Sequence, residues 1–257
     1  MTNIYAPIRS RAREIVDRYP QPRFYETCAD AVAQSEAFLR EAPMLAQLEA
    51  LVAREEDLRL GHGLGHSRRV TIDAGALVIL ESSGASGGQG DLSRRVLLAH
   101  CAGLLHDIRR GRPDHAEKGA KRAAGILAEF PLTDGEVAAV CAAITNHVAF
   151  KVPRPMATPV GQLLSDALYD ADKFRWGPDN FRYMLWDMVA CLNPSLDDFL
   201  KRFPNGLAAV ERIRDTFRTP SGREYGPDFI DLGLAMGREI LEMIRSDFAP
   251  SAVDDPF

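Results

Sequence analysis

The run Val96-Leu97-Leu98-Ala99-His100-Cys101-Ala102-Gly103-Leu104-Leu105 delivers an imidazole and a carboxylate, His106 and Asp107, to the end of a segment apolar enough to be buried. A charge taken out of water needs a partner. Adjacent residues do not share a helix face, so the pair converges on one point only if the helix aims that edge at a metal. Other candidate ligands stand around it in order, His66 before it and His115, His147 and Asp172 after it. Four of the six histidines fall into this series. The chain reads as a buried metal site built by a helical domain.

Most of the sequence supports that reading, because apolar residues recur at three- and four-residue spacing and strand-like alternation is nearly absent. The pattern predicts helices over Ile8–Tyr19, Phe24–Arg40, Pro43–Glu55, His66–Glu81, Arg94–Asp107, His115–Phe130, Thr133–His147, Val160–Lys173, Phe181–Cys191, Leu196–Thr216 and Phe229–Phe248. Pro20-Gln21-Pro22 and the prolines of Val152–Pro159 break the pattern, Asp91 or Ser93 is expected to cap the helix that ends in the central pair, and Ser82–Gly90 reads as a flexible linker. Thr133 and Glu136 stand at capping-box spacing.

A chain of 257 residues can bury a full core, and we expect a single helical domain. Its 46% hydrophobic and 26% charged residues are those of an ordinary globular protein, with disorder expected only at Ala252–Phe257. A formal net charge of −5 argues against a nucleic-acid surface, which requires clustered positive charge. Cys28, Cys101, Cys141 and Cys191 form no CxxC pair, so reduced, mostly buried thiols in a cytoplasm are expected. No signal-like run and no apolar stretch of about 18 residues occurs, so no membrane partner is expected either.

Imidazole and carboxylate donors together suit a divalent transition metal, Mn, Fe, Co, Ni or Zn, with Mg also admissible. Arg109, Arg110 and Arg112 follow the pair at once, and Lys118, Arg122 and Lys173 lie nearby. Guanidinium groups grip phosphate oxygens bidentately, so at least one of Arg109, Arg110 and Lys118 is expected to contact a substrate phosphate. His62, four residues before His66, and Lys173 are further candidates for substrate contact. Each has a plainer reading: a capping role for His62, a solvated side chain for Lys173, an exposed loop for the arginines. His100 reads as a packed helix residue, Asp170 as a surface or supporting carboxylate, and Trp176, Phe181, Tyr183 and Trp186 as core or as a pocket wall.

The motifs LLHDI, HSRRV, HAEKGA, ITNH and DADKF, in this order, resemble the HD superfamily of metal-dependent phosphohydrolases. The resemblance implies an all-α HD-domain bundle with its core over about residues 58–190 and accessory helices over 1–57 and 191–250. It makes His66, His106, Asp107 and Asp172 the ligands of a first metal. His115 and His147 take the places of second-metal ligands, and Asp107 bridges two ions and acts through the water bound there. The implied activity is hydrolysis of a phosphorylated small molecule or nucleotide by a metal-activated water; apart from the resemblance, the surplus of helix makes a homodimer a reasonable expectation, and the acidic net charge leaves no nucleic-acid partner expected. The ligand order is also similar to myo-inositol oxygenase and its phosphonate-cleaving relatives, which use two irons. A non-catalytic metal-binding sensor or scaffold is the third reading. Gly111 stands two positions later than the glycine of many relatives, and the HHE and GYP elements of the cyclic-dinucleotide phosphodiesterases are missing, which disfavours that branch.

Overall fold

The computed structural model describes residues 4–55, 63–83 and 89–248, and contains no strand among them. Among the described residues, twelve α-helices run in chain order as α1 (Tyr5–Asp17), α2 (Arg23–Thr27), α3 (Ala29–Glu41), α4 (Pro43–Val52), α5 (Leu64–Glu81), α6 (Gln89–Leu105), α7 (His115–Leu127), α8 (Asp134–Asn146), α9 (Pro159–Phe174), α10 (Leu185–Leu192), α11 (Leu196–Glu211) and α12 (Pro220–Asp247). A π-helical turn, Asn180–Met184, leads into α10.

Local chemistry sets many of these starts. Thr133 accepts from the Glu136 backbone N–H while Glu136 accepts from that of Thr133, so the expected capping box opens α8. Thr158 and Thr219 cap α9 and α12, each followed by proline at the first helical position.

Several boundaries differ from expectation: α1 starts at Tyr5 instead of Ile8, α10 is preceded by a π-helical turn that takes in Phe181, and α11 ends at Glu211 instead of Thr216. The helix expected over Phe24–Arg40 is two, broken at Cys28, which takes a non-helical conformation. The helix ahead of the His–Asp pair starts at Gln89 rather than Arg94, so Asp91 lies in its first turn instead of capping it, and it stops at Leu105. The C-terminal helix starts at Pro220, not Phe229, and runs through Pro227. Proline normally breaks a helix by removing a donor. Here the capped start at Thr219 is held by Asp170, which accepts from the backbone N–H of both Arg218 and Thr219 (2.8 and 2.7 Å). Asp170 is therefore a buried anchor between α9 and α12, not a surface carboxylate.

The core that positions the site is formed by α5, which packs on α6, α9 and α3, and by α8, which packs on α7 and α9. Gly103 lets α6 cross α5 at backbone contact, since a Cβ there would stand 2.6 Å from the Thr71 Cα. A second apolar cluster gathers α1, the π-turn, α10, α11 and the C-terminal half of α12 around Trp186, Phe199, Phe203 and Ile240. Phe181 and Trp186 are core residues of this cluster, whereas Tyr183 is 37% exposed. No described helix is long and apolar enough to cross a membrane. Cys28 and Cys101 are buried, Cys141 is half-buried and Cys191 is exposed, all as free thiols.

Candidate metal centre

His106 and Asp107 sit in the turn after α6, not on the helix. The Ile108 N–H bonds to Leu105 O and the Arg110 N–H to Asp107 O, so the chain tightens into successive turns. This answers how two adjacent side chains reach one point: the helix ends and the turn swings both inward. His106 Nδ1 lies 2.8 Å from the Gly103 carbonyl, which fixes the tautomer and leaves Nε2 as the lone-pair donor. His147, just past the end of α8, repeats the device with its Nδ1 on the Ile144 carbonyl.

The remaining donors come from α5, α7 and α9. His66 Nε2 is 3.2 Å from His106 Nε2 and 3.5 Å from Asp172 Oδ1, and Asp172 Oδ1 is 3.7 Å from His106 Nε2. Asp107 divides its carboxylate. Oδ2 faces His106 Nε2 at 3.5 Å and His66 Nε2 at 3.9 Å, whereas Oδ1 faces His147 Nε2 at 3.4 Å and His115 Nε2 at 3.7 Å. His66, His106, Asp107, His147 and Asp172 are all buried, and His115 is partly so.

These donors fit metal ions. Donors about 2.1 Å from one ion stand roughly 3–3.5 Å from each other, close to the separations here. The buried Nε2 of His147 has no hydrogen-bond partner among the described residues. A buried polar atom of that kind calls for an explanation, and a cation held with Asp107 supplies it. Burial depresses His115 to about 4, with His147, Arg110 and His106 adding to the effect against the pull of Asp107, so its imidazole is neutral near pH 7. Burial would raise the Asp172 carboxyl; Lys173, the bond to His66 and the nearby imidazoles more than offset this and hold it well below the usual range. Burial likewise disfavours a charged His106, and the Asp107 and Asp172 carboxylates outweigh it, a sign of the negative potential at this point.

Of the three carboxylates on α9, then, Asp172 alone reaches the histidines. Asp166 accepts from Gln162 and Asp170 faces α12. Lys173 is not solvated: it is buried, its Nζ pairs with Asp172 Oδ2 at 2.5 Å, and it lies over the Tyr169 ring. Arg110 reaches the centre, with Nη1 3.0 Å from His115 Nε2 and 3.7 Å from Asp107 Oδ1. Its neighbour Arg109 points away to Glu55 (2.7 Å), and Lys118 is exposed on α7. His62 lies outside the described residues. His100 is a packed residue, bonded to Ser35 at 2.9 Å.

Two supports were not anticipated from the sequence. Asn146 bonds to the backbone of Arg154 through both ends of its amide and to Ser165, which fastens the loop that follows His147. Arg175 is buried against Asp73, Tyr25 and Asp179, about one helical turn past Asp172 and beside α5 two turns past His66. The signal for it was the spacing: Arg175 stands three after Asp172, and Asp73 seven after His66.

No curated protein and no solved structure matches the chain. The HD domain family model matches residues 63–174, a span that opens just before His66 and closes just after Asp172. With the His/Asp cluster lying inside that span, residues 63–174 are similar to the HD domain, consistent with the HD superfamily of metal-dependent phosphohydrolases.

Proposed function

We propose that the chain is a hydrolase of a phosphorylated small molecule or nucleotide with a dinuclear centre. His66, His106, Asp107 and Asp172 hold one divalent transition metal, and Asp107, His115 and His147 hold the other. The observation that carries this reading is the divided carboxylate of Asp107, one oxygen toward each pair of histidines. Bound ions lower the pKa of water and neutralise phosphate oxygens.

The chain's own residues do the rest. Lys173 keeps Asp172 ionised. The carbonyls of Gly103 and Ile144 orient His106 and His147. Arg110, about one-third exposed, is placed to leave His115 for an incoming phosphate oxygen.

The test is phosphate release from a panel of nucleotides and phosphorylated metabolites by protein reconstituted with Mn, Co, Ni, Zn or Fe, with Asp107→Asn as control. Turnover abolished in Asp107→Asn is expected. Iron-dependent dioxygen consumption without phosphate release would instead establish the oxygenase reading.

A further inference from the structure

Arg218 stands just before α12, outside the span that holds the metal-ligand candidates, yet its side chain reaches the helices that present two of them. Its Nη1 donates to the carbonyl of Asn146 (3.1 Å), the residue next to His147. Its guanidinium lies over the Tyr169 ring, 3.5 Å from the centroid. Lys173, the partner of Asp172, lies over the same ring at 5.0 Å. Both cations therefore border the donor set, one beside His147 and one beside Asp172.

The guanidinium is held in place by the protein alone. Asp170 accepts from the Arg218 backbone N–H (2.8 Å) and spends its other oxygen on Thr219. A plainer role exists, since the Asn146 carbonyl ends α8 and a cation there closes the helix. One N–H is enough for that, and a guanidinium has five. Among the described residues Arg218, which is half-buried, forms no ion pair with a carboxylate. Burial lowers its pKa more than Tyr169, Asp166 and Asp170 raise it. Arg94, bonded to Glu136, is raised instead. The surroundings of Arg218 thus hold less negative charge than a half-buried cation calls for.

We propose that Arg218 is a substrate-binding residue, which grips an oxyanion of the phosphorylated substrate at the His147 edge of the metal centre. A planar guanidinium laid on a ring keeps its edge N–H groups available to phosphate oxygens. That the oxyanion belongs to a substrate rests on the function proposed above; the binding of phosphate itself does not.

The experiment is calorimetric titration with inorganic phosphate, with Tm, metal content and the kcat and KM for p-nitrophenyl phosphate read on the same samples. Arg218→Gln keeps a donor for the Asn146 carbonyl and removes the charge, whereas Arg218→Lys keeps the charge. The Gln variant should bind phosphate about 10–100-fold more weakly, with metal content unchanged and KM raised far more than kcat is lowered. The Lys variant should recover most of the affinity. No phosphate binding by the unaltered chain, or equal affinity in it and the Gln variant, would overturn the proposal. So would a Gln variant that loses metal and Tm in step with phosphate, which would make Arg218 a helix cap that positions His147. Phosphate bound through Arg218 by a chain that hydrolyses no phosphate ester would sink the hydrolase reading while supporting the anion contact.

Discussion

Gly103→Ala is a one-methyl perturbation whose effect runs from helix packing to the metal centre. A Cβ at this position would lie 2.6 Å from both Cα and Oγ1 of Thr71 and 2.9 Å from its backbone N. Ordinary carbon contacts are about 3.5–4.0 Å, so α5 and α6 must part by roughly 1 Å. Backbone cannot rotate away as a side chain can. Overpacking costs about 1–3 kcal/mol, and the clash here belongs at the upper end. The helix propensity of alanine returns about 1 kcal/mol, which leaves a net loss of about 2 kcal/mol. For a chain of this size that lowers Tm by roughly 4–8 °C.

The same parting moves ligands. His66 rides on the first turn of α5, and His106 follows α6 and is held by the Gly103 carbonyl itself. Separating Nε2 atoms that now stand 3.2 Å apart should weaken metal binding about 10–100-fold, as loss of a ligand's support does. The control is Gly125→Ala on α7, where the added methyl meets nothing within 4 Å. It should stabilise by about 0.5–1 kcal/mol. Thermal melts and metal titration of both variants give the answer. Equal gains in Tm, with metal affinity intact in both, would refute the argument from helix contact.

Arg175→Met should destabilise by about 3–5 kcal/mol in urea titration, because it leaves the buried Asp73 carboxylate without its cation, whereas Asp179 keeps Arg69; a loss under about 1 kcal/mol would contradict that. Glu136 is pulled down to about 2 by its bond to Arg94, against the cost of burial and with help from Thr133. Its folded pKa lies below the unfolded value, so its contribution is fully present above about 4.5 and is lost as pH falls towards 2. Glu136→Gln should therefore cost about 1–2 kcal/mol at pH 7, less than the full shift because Arg94 is 38% exposed and water screens the pair, and almost nothing near pH 2. Lys173→Met lets the Asp172 carboxyl rise, so metal affinity should fall more steeply between pH 8 and pH 6 than in the unaltered chain; parallel pH profiles would show that Lys173 does not set the charge of Asp172.

What the sequence revealed was what short-range chemistry decides. The capping box at Thr133 and Glu136 and the proline start at Pro43 depend on neighbours in the chain, and both are found. The grouping of the candidate ligands was readable for another reason: imidazoles and carboxylates recurring in successive motifs point to one shared place, and the structure brings those side chains together. Asp172 stands in the DADKF motif, and the geometry brings that carboxylate beside His66 and His106. Features set by distant contacts were not readable. Nothing near Pro227 announces that α12 runs through it, because the start of that helix is held by Asp170 from α9. The opposite aims of Arg109 and Arg110 depend on Glu55, more than fifty residues away in sequence. Lys173 looks like a surface lysine until the Tyr169 ring and Asp172 close around it.

The divided carboxylate of Asp107 is the centre of this account, and metal stoichiometry tests it most directly. Elemental analysis of protein purified without chelator should give about two ions per chain, falling to about one in His115→Ala and in His147→Ala while the fold is retained. One ion per chain, unchanged by either substitution, would contradict the two-metal centre and leave His115 and His147 without the role assigned to them.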